Sequence, residues 1–93
     1  MDDRFLIVGR LTCPFCVKAI DYCKAKSVEF IFFNYTDNPE ILEEYKRFHK
    51  SRTVPIILAN NLKTGYTKNI GGYSDLLEYL WWTQILYQLE LVC

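Results

Sequence analysis

A short apolar run, Phe5–Val8, stops at Gly9, and four residues beyond it stands Cys13-Pro14-Phe15-Cys16. No other feature constrains the fold as strongly. The run reads as a buried strand. Val17, Ala19, Ile20 and Cys23 follow at helical spacing. Proline suits the first turn of a helix, where no backbone N–H is needed. The spacing predicts a helix from about Pro14 to Lys26, with Thr12 or Cys13 at its N-cap. Val28–Asn34 is β-branched and aromatic and reads as a second strand. Two strands joined by a helix form a βαβ unit, so this pair is expected to be parallel.

The rest of the chain continues the alternation. Asp37-Asn38-Pro39 is a helix start, and Ile41, Leu42, Tyr45 and Phe48 form the apolar stripe of a helix from Glu40 to about Lys50. Val54–Leu58 reads as a third strand with Pro55 among its first residues. Asn60-Asn61 and Thr64-Gly65 are turn signals, and Tyr66–Ile70 reads as a fourth strand returning antiparallel. Gly71-Gly72 ends it, and Ser74-Asp75 opens a last helix running to roughly Glu90. The order is β-α-β-α-β-β-α. The parallel pair and the hairpin together predict an α/β fold with one mixed four-stranded sheet and three helices, a single domain over residues 1–93. No linker, repeat or low-complexity segment interrupts it.

Composition narrows the function classes. With 51% hydrophobic residues the 93-residue chain can bury a core, which excludes disorder. Eleven basic and 11 acidic residues balance, which argues against a broad electrostatic grip on nucleic acid. No apolar run approaches the roughly 20 residues of a membrane span. Met1-Asp2-Asp3-Arg4 does not read as the start of a signal peptide. A cytoplasmic, reducing setting is the expectation.

In that setting the four cysteines (Cys13, Cys16, Cys23 and Cys93) are more often catalytic, metal-binding or buried than disulfide-bonded. Cys13 stands at a helix start, where unpaired N–H groups and the macrodipole favour a thiolate. It is the expected exposed, attacking thiol. Cys16, one turn inside, is the expected resolving thiol. Competing readings are a zinc half-site, a structural disulfide, or two core cysteines. A zinc site would have to recruit Cys23, Cys93 or His49, and none of these completes a second ligand pair. Cys23 reads as a core residue and His49 as a solvated side chain on the second helix.

Thr12-Cys13-Pro14-Phe15-Cys16 resembles the glutaredoxin active site, with Phe15 where the family usually has tyrosine. Arg10 matches a basic residue before that motif. Thr53-Val54-Pro55 matches the family's Thr-Val-Pro, and Gly71-Gly72-Tyr73-Ser74-Asp75 matches its Gly-Gly-Xaa-Ser/Thr-Asp. The four segments in order extend the resemblance over nearly the whole chain. It implies a thioredoxin-like fold and a dithiol, glutathione-dependent thiol–disulfide oxidoreductase, with Cys13 and Cys16 catalytic, glutathione as co-substrate and no metal. A cis Val54–Pro55 bond is implied, with Val54 pairing with the cysteinyl part of glutathione. Gly72, Tyr73, Ser74 and Asp75 would hold the γ-glutamyl end. Arg10 and Arg52 would hold the glycine carboxylate, and Phe15 would wall the groove. Leu42 departs from the pattern, falling where the family often has a glutamine.

Implied partners are disulfide-bonded or glutathionylated proteins, ribonucleotide reductase being a usual one for the family. Neither nucleic acid nor membrane is expected. Alternatives are a redoxin served by thioredoxin reductase and a glutathione-ligated iron–sulfur carrier, which Pro14 disfavours. A monomer is expected, with a weak dimer through the apolar Leu76–Val92 segment as the alternative.

Overall fold

The computed structural model describes residues 3–81. Its elements are β1 (Asp3–Gly9), α1 (Pro14–Ala25), β2 (Phe30–Asn34), α2 (Pro39–Phe48), β3 (Ile56–Asn61) and β4 (Thr67–Gly71). A last helix, α3, occupies 73–81. The rest of the helix expected to reach Glu90, with Trp82 and Cys93, lies outside the described residues, as does the apolar segment beyond Trp81.

The four strands form one sheet in the order β2-β1-β3-β4. β1 and β2 are parallel, from Phe5 opposite Phe30 to Gly9 opposite Asn34. β3 is antiparallel to both β1 and β4. The mixed sheet is the expected one. β1 is interior because its side chains are apolar on both faces: Phe5 and Ile7 point to one, Val8 to the other.

That alternation sorts the core into two layers. Phe5, Ile7, Ile57 and Ala59 pack with Ala19 and Cys23 of α1 and Leu76 and Leu80 of α3. On the opposite face Val8 and Ile56 pack with Leu42 of α2 and with Cys13, Cys16 and Val54. Burying each large aliphatic side chain contributes about 1.5–3 kcal/mol. Leu42 is the one fully buried residue of α2. Truncating it to alanine is expected to cost roughly 2–5 kcal/mol. Tyr79 of α3 donates to the Asp3 carboxylate, tying the helix to the start of β1.

Element ends shift for local reasons. α1 stops at Ala25, and Lys26 is its C-cap, followed by Ser27 in the left-handed region at φ 56°. Val28 lies outside β2, its N–H bonding back to the Cys23 carbonyl at 3.1 Å. α2 takes Pro39 into its first turn and ends at Phe48, leaving His49 as C-cap. β3 begins at Ile56 rather than Val54, since Pro55 has no N–H to give the ladder. It also runs through Asn60 and Asn61, expected in the turn. The turn is 62–65, pinned by the Asn61 side-chain oxygen, which accepts from the N–H of Lys63 and Thr64 at 3.0 and 2.9 Å.

Candidate active site

β1 carries the chain to one end of the sheet, and Cys13 caps the helix that follows. Cys13 is extended (φ −95°, ψ 118°), and its side chain makes no capping bond. Its carbonyl accepts from the N–H of Cys16 and Val17 at 3.1 and 3.2 Å. The sulfur therefore stays available. In the protonated state it donates to the Val54 carbonyl at 3.6 Å. Cys13 is only 9% exposed, not the open thiol expected from the sequence. Val54 and Leu42, brought in from distant parts of the chain, close over it.

The two thiols differ in proton affinity. Burial works against ionisation of Cys13. The Cys16 backbone N–H, the Cys16 thiol, the Phe15 N–H and the charge of Arg10 together outweigh it, so its pKa lies below the ordinary 9.0. Burial pushes Cys16 up to about 12, with Cys13 adding to the rise. One sulfur is poised to ionise while its neighbour keeps a proton and donates it. Cys13, Cys16 and Cys23 are all free thiols. Cys23 belongs to the core, as expected, and burial raises it to about 11.

Three segments meet around Cys13. The first is the CxxC helix start. The second is the Thr53-Val54-Pro55 turn, whose Val54–Pro55 bond is cis, as the resemblance implied. The third is the start of α3. Gly72 lies beside the turn; a Cβ on it would stand 3.9 Å from the Pro55 carbonyl. The Phe15 and Tyr73 rings face each other with centroids 6.0 Å apart, tilted 37°. They form an aromatic wall, with Lys18 Nζ 5.2 Å over Phe15. The Asp75 carboxylate accepts from the Gly72 N–H at 2.9 Å, the reach-back half of a capping box. One of its oxygens is thus committed to the helix. Ser74 and Thr53 are exposed.

Arg10 is exposed, and its charge acts on both thiols. Arg52, two residues before Val54, lines a cleft of about 470 Å³ with Glu43, Lys46, Arg47, Lys50 and Ser51. Leu42 is 2% exposed, in the apolar floor, and offers no polar group to a ligand. His49 is half-buried and stacked on Tyr45 (6.2 Å, 8°) rather than solvated.

Two residues absent from the sequence-derived set hold the site. A Cβ on Gly9 would collide with the Cys16 sulfur, so glycine there makes room for the second thiol. Thr36 Oγ1 accepts the Leu11 N–H at 2.9 Å and anchors the loop before Cys13, while Asn34 accepts from the Thr36 N–H. A glycine ending a buried strand and an Asn-Tyr-Thr turn were the available signals.

The comparisons with known proteins bear on the family and the fold. The glutaredoxin family model matches residues 6–62. This chain belongs to the glutaredoxin family. A glutaredoxin-like 8.6 kDa protein in the rubredoxin operon of Clostridium pasteurianum is 34% identical over 58 residues, 61% of this chain and 77% of that protein. The solution structure of glutaredoxin from Brucella melitensis superposes with a TM-score of 0.57 at 21% identity, covering 81% of this chain and 75% of its own. That likeness shows the thioredoxin-like fold. Family membership supports a thiol-oxidoreductase kind of function. The matched stretch contains Cys13–Cys16 and Thr53–Pro55 but stops short of Gly72–Asp75. Among the described residues no group of three or more His, Cys, Asp or Glu is gathered as for a metal ion. No helix among them is long and apolar enough to cross a membrane.

Proposed function

We propose that this protein is a glutathione-dependent thiol–disulfide oxidoreductase acting through Cys13 and Cys16. The observation that carries the reading is the split between the two thiols beside the Val54–Pro55 turn. The Cys13 thiolate attacks one sulfur of a disulfide. A Cys13–sulfur bond forms, the old S–S bond breaks, and the departing thiolate takes a proton from solvent. Ionisation also ends the S–H···O bond to Val54, which frees that carbonyl for an incoming backbone N–H.

With glutathione on Cys13, a second glutathione thiolate attacks it and restores the Cys13 thiolate, leaving oxidised glutathione. With a protein on Cys13, Cys16 attacks instead. Two of the influences raising Cys16, the hydrogen bond to Cys13 and the Cys13 charge, disappear once Cys13 is capped. Cys16 then gives up its proton more readily, closes the Cys13–Cys16 disulfide and releases the reduced protein. Two glutathiones reduce that disulfide.

In this reading glutathione lies with its γ-glutamyl end at Gly72–Asp75 and its cysteinyl backbone at Val54. Its glycine carboxylate lies toward Arg10 and Arg52. Phe15 and Tyr73 flank it. The setting is the cytoplasm, and the protein substrates are disulfide-bonded or glutathionylated proteins, ribonucleotide reductase among the candidates.

The test is turnover of a small glutathione mixed disulfide with glutathione, glutathione reductase and NADPH. The expected result is turnover that Cys13→Ser abolishes and Cys16→Ser retains, with protein-disulfide reduction weakened in Cys16→Ser. Activity persisting in Cys13→Ser refutes the assignment. An intact fold without turnover turns the reading toward thioredoxin reductase as the electron source.

A further inference from the structure

The cleft beside Arg52 is strongly cationic. Lys46, Arg47, Lys50 and Arg52 line it against the single carboxylate of Glu43. The chain as a whole balances 11 basic with 11 acidic residues, so this excess is a local feature. Lys46 is tied to Glu43 at 3.1 Å. Lys46 and Arg47 stand in the last turn of α2, where cations complement the helix macrodipole. Lys50 and Arg52 lie beyond that turn, so the dipole does not account for them.

The cleft is also braced against the candidate active site. The Ser51 N–H donates to the Lys46 carbonyl at 2.8 Å, folding 50–52 back on the helix end. The Ser51 hydroxyl donates to the Thr53 carbonyl at 2.9 Å. Thr53 is followed by Val54, whose carbonyl meets the Cys13 sulfur. A cleft of 470 Å³ has an extent of roughly 8 Å, room for two to three residues of extended chain.

We propose that this cleft selects disulfide substrates in which the reacting cysteine is followed within a few residues by Asp or Glu. The proposal rests on the glutathione reading, which supplies the direction. If the glycine carboxylate points toward Arg52, a longer peptide in the same groove continues from its cysteine, C-terminally, into the cleft. Acidic side chains there meet Arg52, Lys50 and Arg47. Acids before the cysteine run toward α3 and do not.

The experiment uses full-length protein carrying Cys16→Ser, which traps the Cys13–peptide mixed disulfide. Symmetric peptide disulfides are offered with acidic residues after the cysteine, acidic residues before it, neutral flanks, or lysine flanks. Adduct formation on Cys13 is timed by quenching and mass mapping. In each reaction one Cys13–sulfur bond forms, one peptide S–S bond breaks, and one peptide thiolate leaves and is protonated by buffer.

The acid-after peptide is expected to react about tenfold faster than the neutral one at low salt. The advantage should collapse at about 0.5 M salt, where the screening length is only a few ångströms. It should also be lost in Lys46→Gln/Arg47→Gln/Lys50→Asn, with the neutral peptide unaffected. Asparagine is chosen at Lys50 because φ is 53° there, a conformation it tolerates. Lys50→Asn alone should lose part of the preference.

Equal rates for acid-after and neutral peptides overturn the proposal while leaving the dithiol reading intact. So does an acid-before peptide as fast as the acid-after one, or a preference that survives the triple substitution. An oligonucleotide that erases the preference at micromolar concentration would assign the cleft to nucleic acid and overturn it too. No adduct with any peptide refutes the dithiol reading and this proposal with it.

Discussion

Replacing Gly9 with alanine drives a methyl group into the space of the Cys16 sulfur. The new Cβ collides with Cys16 Sγ and stands 3.3 Å from Cys16 Cβ and 3.7 Å from Phe32 Cε1. Cys16 is 0% exposed, so its sulfur has no open side to swing into. The backbone at Gly9 is not left-handed, so alanine is conformationally allowed. It should recover about 0.4–1 kcal/mol by restricting the unfolded chain. Overpacking works the other way by about 1–3 kcal/mol. Taking the middle of each range, the net destabilisation is about 1.3 kcal/mol, a fall in Tm of roughly 5–10 °C for a domain of this size.

The same displacement takes the Cys16 N–H and thiol away from Cys13. Its pKa should rise, because these are the two largest influences holding it down. The assays are a thermal melt and an ultraviolet titration of the Cys13 thiolate. The decisive arm is a double-mutant cycle with Cys16→Ala, which removes the colliding sulfur. Gly9→Ala should be far less damaging in that background. Purely additive losses, or an unchanged melt and titration in the single variant, would refute the steric reasoning.

Alkylation below pH 9 should label Cys13 well before Cys16 or Cys23, whose thiols are raised to about 12 and about 11; mapped adducts would show the order, and faster labelling of Cys16 would contradict it. Both raised thiols hold their protons more tightly folded than unfolded. Their contribution to stability is therefore full below about pH 9 and is lost as pH climbs toward 11–12, and denaturant midpoints across that range should be flatter in Cys23→Ala. Asp75→Ala removes the bond to the Gly72 N–H. It should destabilise by about 0.5–1 kcal/mol and raise the KM for glutathione more than it lowers kcat, whereas an unchanged KM would leave Asp75 as a cap alone. Tyr79→Phe removes the hydroxyl donated to Asp3 and should lower stability by about 1 kcal/mol, read from the same melts.

Much of the fold was legible because its signals are local. The continuous apolar run of β1, the proline at the first turn of α1 and the Asx-proline start of α2 each act within a few residues. Thr67–Gly71 returned antiparallel because a short turn permits little else. The ends were less legible. The start of β3 depended on what Pro55 does to the ladder, and Asn61 served both as strand residue and as the turn's acceptor. In the site, CxxC spacing and the helix start identified the thiols. Their burial was not legible, because Val54 and Leu42 close over Cys13 from sequence positions far away.

By itself, then, the sequence determined the order of the described elements, the spacing that sets Cys13 and Cys16 one helical turn apart, and the family. All three follow from short-range spacing and from motifs in order. The helix start also pointed to Cys13 as the thiol that ionises; only the tertiary structure showed that Cys13 is itself buried and that the N–H groups and the Arg10 charge outweigh that burial. Only it showed that Gly9 makes room for Cys16, and that Lys46, Arg47, Lys50 and Arg52 share one cleft beside the Val54 turn. Burial, steric collision and charge clustering are properties of distances through space, and a linear pattern does not carry them.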